Sequence, residues 1–140
     1  MIIVSACLAG VECRYNGLAY PIPEVIEMVK TCKALPLCPE ILGGLPSPRH
    51  PSEQCQGRVI CDDGTDVTEQ FTRGARIAAD IAALIGCKKA ILKAKSPSCG
   101  CGKIYDGTFS HTVISGDGVF AKMLKEQGID VCTEEDIILK

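Results

Sequence analysis

The chain has 140 residues, 46% of them hydrophobic, and a formal net charge of −2. That length and apolar content suit a single domain, 1–140, with its own core; the small negative balance gives no footprint for a nucleic acid or an anionic membrane, which leaves a small ligand as the better-fitting partner. The ten cysteines stay below the roughly 8–10% that marks a secreted disulfide scaffold. Met1-Ile2-Ile3-Val4 lacks the basic segment of a signal peptide, and no apolar run approaches the ~18 residues of a membrane-crossing helix, so the thiols are expected to stay reduced in a cytosol.

Ile2 to Ala6 is apolar and rich in β-branched residues, as expected of a central strand covered on both faces, and it ends on Cys7. The following loop contains Gly10, Cys13 and the turn signal Asn16-Gly17; Cys13 reads as a partly buried thiol or as a further ligand. Pro23, Val25, Ile26, Met28 and Val29 predict a short amphipathic helix with Cys32 as core at its end. Ala34 to Leu37 predicts a second strand, ending on Cys38. Residues 39–51 hold four prolines and two glycines and read as a long, rigid loop of the kind that shapes a pocket. In it, Glu40 is placed to reach whatever Cys38 binds, with a solvated carboxylate as the plainer alternative. Arg49 is a candidate for contacting an anion or a carbonyl, against a surface ion pair.

Gly57 to Asp62 predicts a strand running into the turn Asp63-Gly64, with Cys61 packed inside. Asp66 and Glu69 match a capping box for a helix over 67–85, closed by Gly86, whose alanine stripe (Ala75, Ala78, Ala79, Ala82, Ala83) suits close packing on a sheet. Lys89 to Leu92 predicts another buried strand. Beyond it, Pro97 lacks a backbone donor while Gly100 and Gly102 permit positive φ, so Lys93 to Gly102 leaves the sheet as an irregular loop carrying Cys99 and Cys101. Ile104 to Phe109 suggests a hairpin or lid, a helix over 119–127 stops at Gly128, and a last strand over 129–132 precedes a terminal helix capped by Thr133. The alternation predicts an α/β fold: a compact three-layer, Rossmann-like domain with a mostly parallel sheet, its strand order not readable.

In such a sheet the loops at the carboxyl ends of the strands form the ligand crevice. Cys7, Cys38 and one of the Cys99/Cys101 pair would then meet on one edge as a three-thiolate metal site. Structural zinc uses paired C-x₂₋₄-C knuckles, and Cys99-Gly100-Cys101 is too tight for one. A [4Fe–4S] cluster accepts thiolates from separated loops, and three of them leave one iron open. The competing class is a nucleophilic Cys99 activated by Lys95 or a helix N-terminus, although neither His50 nor His111 has an evident pairing with it. Purely structural thiols are the third reading.

The set Ser5-Ala6-Cys7-Leu8-Ala9-Gly10, Arg14-Tyr15-Asn16-Gly17, Cys38-Pro39-Glu40, Gly43-Gly44-Leu45-Pro46-Ser47-Pro48-Arg49, Lys95-Ser96-Pro97-Ser98-Cys99-Gly100 and Ile104-Tyr105-Asp106-Gly107-Thr108-Phe109 resembles the 2-thiouracil desulfidase (TudS) family, in order and over essentially the whole chain. The resemblance implies a [4Fe–4S] cluster on Cys7, Cys38 and Cys99, a catalytic carboxylate at Glu40 and a catalytic serine at Ser96. With Arg49 as the substrate-contacting residue, the expected activity is hydrolytic desulfuration of a thiolated pyrimidine without net redox change. The acidic balance, and the lack of the additional domain of relatives acting on thiolated tRNA, favour a free base or nucleoside. A non-catalytic iron–sulfur or zinc module for sulfur sensing or transfer is the alternative.

Overall fold

The computed structural model describes residues 1–138. In chain order the elements are β1 (Ile2–Ser5), α1 (Pro23–Lys30), β2 (Ala34–Leu37), α2 (Pro39–Leu42), β3 (Ser52–Cys55), β4 (Arg58–Cys61), α3 (Thr68–Leu84), β5 (Lys89–Leu92), β6 (Lys103–Tyr105), β7 (Val113–Ser115), α4 (Val119–Glu126), β8 (Asp130–Thr133) and α5 (Glu134–Ile138). Four of the strands form a parallel sheet in the order β2-β1-β5-β8. β3 with β4, and β6 with β7, form two antiparallel hairpins outside it.

Successive residues of a strand face opposite sides, which sorts the core into two layers. Ile3, Leu35, Ala90, Leu92 and Val131 pack against α3 and α4 through Ala75, Ala78, Ala79, Ala82, Phe120 and Leu124. Val4, Ala34, Ile91 and Cys132 face α1 and α5 through Val25, Met28, Val29 and Ile137. The expected three-layer α/β arrangement with a mostly parallel sheet is thus the fold of the chain. Ala83, counted in the alanine stripe, is exposed, because it lies on the far side of α3 from the sheet.

Several local expectations are corrected. The proline-rich stretch contains α2, a single helical turn in which Pro39 follows an extended Cys38 (φ −122°) and uses the one helical position where a missing N–H costs nothing. The strand at 58–61 pairs with β3, a polar segment that carries no strand signal of its own, and Cys61 is only half-buried. Cys32 is exposed, not core, at φ 60°; the amides of Cys32 and Lys33 bond back to Val29 and Met28 carbonyls, a helix-closing turn that sends the side chain outward. At the start of α3, Asp66 Oδ1 accepts from Thr68 N at 2.9 Å. No reciprocal Glu69 contact occurs among the described residues; instead Thr68 Oγ1 accepts Val59 N at 2.8 Å and ties the helix to β4.

Two glycines set the position of the loops around the sheet edge. A Cβ on Gly74 would lie 1.7 Å from the carbonyl oxygen of Pro39, so α2 lies flush on α3. A Cβ on Gly118 would lie 2.3 Å from the carbonyl carbon of Ser98. There the first amides of α4, Val119 and Phe120, donate to the carbonyls of Pro97 and Ser98 at 2.9 and 2.8 Å, so the helix N-terminus is capped by the loop it supports. Gly74→Ala would gain about 1 kcal/mol of helix propensity, but the clash is with backbone that cannot rotate away. The expected net result is destabilisation by about 1–3 kcal/mol, read as a lower urea midpoint; an unchanged or higher midpoint would contradict the packing described.

Candidate functional site

β1, β2 and β5 run in the same direction, and Ser5 of β1 lies beside Leu37 of β2, so the segments leaving them start at one edge. Cys7 sits in the 3₁₀ turn Ala6–Ala9, Cys38 directly precedes α2, and Cys99 lies in the loop after β5. All three line one cavity of about 510 Å³, together with Cys13, Glu40, Arg49 and Ser96, a volume in the usual range for a small-molecule site. Of the ambiguous pair, Cys99 faces this cavity. Cys101 does not line it, and its thiol points to the carbonyl of Val131 at 3.4 Å.

Among the described residues no three His, Cys, Asp or Glu side chains converge tightly enough to hold one metal ion, and all ten cysteines are free thiols. Soft donors spread around a cavity do not match the tetrahedral closure of structural zinc; they match a multi-atom iron–sulfur centre bound from separate loops. Contact with the Cys13 thiol and burial push the Cys38 thiol up, and burial pushes Cys99 up to about 12 although the Ser5 hydroxyl favours its thiolate. A thiol held neutral in this way is a poor nucleophile at neutral pH and becomes a thiolate when a metal replaces its proton. Neither histidine bonds to a cavity thiol: His50 bonds Asp62 at the surface at 2.9 Å, and the His111 ring meets Tyr105 edge-on at 6.2 Å.

Glu40 is fixed from both sides. Arg49 donates to its Oε1 from Nε at 3.3 Å and Nη2 at 3.0 Å, with both side chains largely buried. Ser98 donates to its Oε2 at 3.0 Å. Nη1 of Arg49 meanwhile donates to the carbonyls of Cys13 and Pro46 at 3.0 and 2.9 Å, so of the five guanidinium hydrogens one, on Nη2, is left for a ligand. The Ser96 oxygen accepts the amides of Ser98 and Cys99 at 3.2 and 3.1 Å and touches the Ser98 hydroxyl at 3.1 Å. It therefore shapes the turn that presents Cys99, while Ser98, fully buried, links that turn to Glu40. Sequence reasoning passed over Ser98; the available signal was a second serine directly before a candidate ligand in a Pro/Gly-hinged loop.

The opposite wall was also missed. Lys93 Nζ pairs with Glu134 Oε2 at 2.9 Å and sits 4.6 Å from the centre of the Tyr20 ring, while Glu134 Oε1 accepts Ala94 N at 2.7 Å. The pair joins the ends of β5 and β8, which lie far apart in sequence. Glu53 accepts the amides of Gly107 and Phe109 at 3.0 and 3.1 Å, which anchors the β6–β7 turn over the cavity.

A family model described as 2-thiouracil desulfurase matches residues 2–136. The uncharacterized protein YbbK of Bacillus subtilis (strain 168) is 42% identical over 147 residues, covering 98% of this chain and 97% of that protein. Among solved structures, the [4Fe-4S]-dependent thiouracil desulfidase TudS matches with a TM-score of 0.93 and 40% identity, covering 99% of this chain and 93% of that one.

Because removing one member of a buried ion pair strands the other, Arg49→Met is expected to lower stability by about 3 kcal/mol, measured by chemical denaturation. Adding Glu40→Gln to that variant should recover part of the loss. A double variant no more stable than Arg49→Met would contradict the pairing as the source of the effect.

Proposed function

This chain belongs to the 2-thiouracil desulfurase family, and from that membership we propose the following reading of its cavity. The protein is an iron–sulfur-dependent desulfidase that removes sulfur from a thiolated pyrimidine, replacing C=S by C=O with release of sulfide, and its cofactor is a [4Fe–4S] cluster. The observation that carries the assignment of residues is the shared cavity of Cys7, Cys38, Cys99 and Glu40. We take residues 1–140 as one desulfidase domain, Cys7, Cys38 and Cys99 as the cluster ligands, and a 2-thiouracil-like free base or nucleoside as the substrate.

When bound, the cluster supplies a Lewis-acidic iron with a free position for the thione sulfur, which polarises C=S and makes the ring carbon electrophilic. Glu40 takes a proton from the water that attacks this carbon, a general-base contribution of typically 10²–10⁴-fold. Its carboxylate is suited to that role because Arg49 and Ser98 fix both oxygens, so little reorganisation precedes proton transfer. Ser96, on the same wall, orients the water or the ring by turning toward it the hydroxyl hydrogen that otherwise points to Ser98. Arg49 can contact the substrate only through its remaining Nη2 hydrogen, and its larger contribution is to hold Glu40. The reaction is hydrolytic, with no net change of oxidation state.

No helix among the described residues is long and apolar enough to cross a membrane. We place the reaction in the cytosol, where reducing conditions keep ten free thiols compatible with cluster assembly.

Glu40→Gln is expected to keep the visible absorbance of the anaerobically reconstituted protein and to lower multiple-turnover formation of uracil from 2-thiouracil by at least about 10²-fold. Undiminished turnover would remove Glu40 from the mechanism. Cys38→Ala should lose both absorbance and bound iron, and a variant retaining them would refute the ligand set.

A further inference from the structure

Four cysteines line the cavity, and the ligand set Cys7, Cys38 and Cys99 leaves one of them, Cys13, without a role. Its placement is specific. The chain leaves the sheet edge after Cys7 and returns through bonds of Val11 N to Ala6 O (3.1 Å), Tyr20 N to Cys7 O (2.9 Å) and Ile22 N to Leu8 O (2.9 Å). The excursion between these anchors folds back over Cys7 and brings Cys13 with it. Cys13 is 6% exposed, it lines the cavity beside Cys7 and Cys38, and its carbonyl accepts Cys38 Sγ at 3.9 Å.

Its backbone is also held. Cys13 N donates to Val11 O at 2.8 Å, and its carbonyl takes Nη1 of Arg49 at 3.0 Å. With the main chain fixed, the thiol moves by a single side-chain torsion. The same guanidinium thus clamps Glu40 and the backbone of a thiol beside two of the three assigned ligands. A cluster with three protein thiolates keeps one iron held only by its bridging sulfides, and soft thiolate is the ligand such an iron prefers.

Resting on the cluster reading above, we propose that Cys13 is a fourth, displaceable thiolate that occupies the open iron in the substrate-free protein and yields it to the thione sulfur of the substrate. On binding iron, the Cys13 thiol gives its proton to solvent. On displacement, the Fe–Sγ bond breaks with both electrons remaining on sulfur, the thiolate regains a proton from water, and a lone pair of the thione makes the new Fe–S bond. No iron changes oxidation state. The exchange protects the reactive iron between turnovers.

The test compares anaerobically reconstituted wild-type protein with Cys13→Ala and Cys13→Ser, using Cys101→Ser as the control for a thiol outside the cavity. Each is treated with limiting ferricyanide without substrate, and loss of the open iron is followed by the electron paramagnetic resonance of the three-iron cluster and by released iron. Wild type and Cys101→Ser should keep four irons, both Cys13 variants should form the three-iron cluster several-fold faster, and 2-thiouracil added to the Cys13 variants should slow their iron loss toward the wild-type rate, because its thione sulfur takes the position that Cys13 leaves. Equal rates in wild type and the Cys13 variants would overturn the fourth-ligand role while leaving the three-cysteine site intact. A cluster absent from both Cys13 variants but present in wild type would make Cys13 an obligatory ligand and overturn its displaceable role. Failure of wild type to assemble any cluster would overturn the cluster reading itself.

Discussion

The site depends on parallel pairing. β1 lies between β2 and β5 and runs with both of them, so three segments far apart in sequence leave the sheet at the same edge. The chain passes from β1 to β2 on one side and later to β5 on the other, which opens the crevice typical of a topological switch point. A cysteine from the segment that follows each strand, Cys7, Cys38 and Cys99, then enters one cavity. No residue near Cys7 encodes its proximity to Cys99; the strand order does.

Around that edge, contacts between main chains replace side-chain packing. α2 touches α3 through Gly43 and Gly74, and the start of α4 touches the Ser98 peptide through Gly118. These approaches leave no freedom to the loops that carry Cys38, Glu40 and Cys99, which is what a preorganised site requires. The charges brought into the cavity wall are compensated as closely: Glu40 by Arg49 and Ser98, Lys93 by Glu134 and the Tyr20 ring. Among the described residues no fully buried side-chain nitrogen or oxygen lacks a hydrogen-bond partner, so little polar desolvation is left uncompensated.

Much of this was legible in the sequence, for identifiable reasons. β1, β2 and β5 are short apolar runs bounded by turn signals, and α3 carries both an alanine stripe and a closing glycine, so local signals located them. Strand ends were therefore visible, and with them the addresses of Cys7 and Cys38. What was hidden arises where a local signal is absent or contradicted. β3 has the polar sequence Ser52-Glu53-Gln54-Cys55 and is a strand only because β4 pairs with it. α2 begins in a proline-rich stretch whose composition says loop. The choice between Cys99 and Cys101 needed the turn that Ser96 shapes, and the Lys93–Glu134 pair needed β5 and β8 to be neighbours. Arg49 lines the cavity, and only coordinates show that its donors turn toward Glu40 and two carbonyls.

One sheet edge gathers Cys7, Cys38 and Cys99 around space for a cluster, with the firmly held Glu40 carboxylate beside it. An iron-edge anomalous map from crystals of the anaerobically reconstituted protein tests this most directly. The expected result is a compact group of about four iron peaks in the cavity, three of them bonded to the sulfurs of Cys7, Cys38 and Cys99 and the fourth facing Cys13. A lone metal peak, or iron bound through Cys101 outside the cavity, would contradict it.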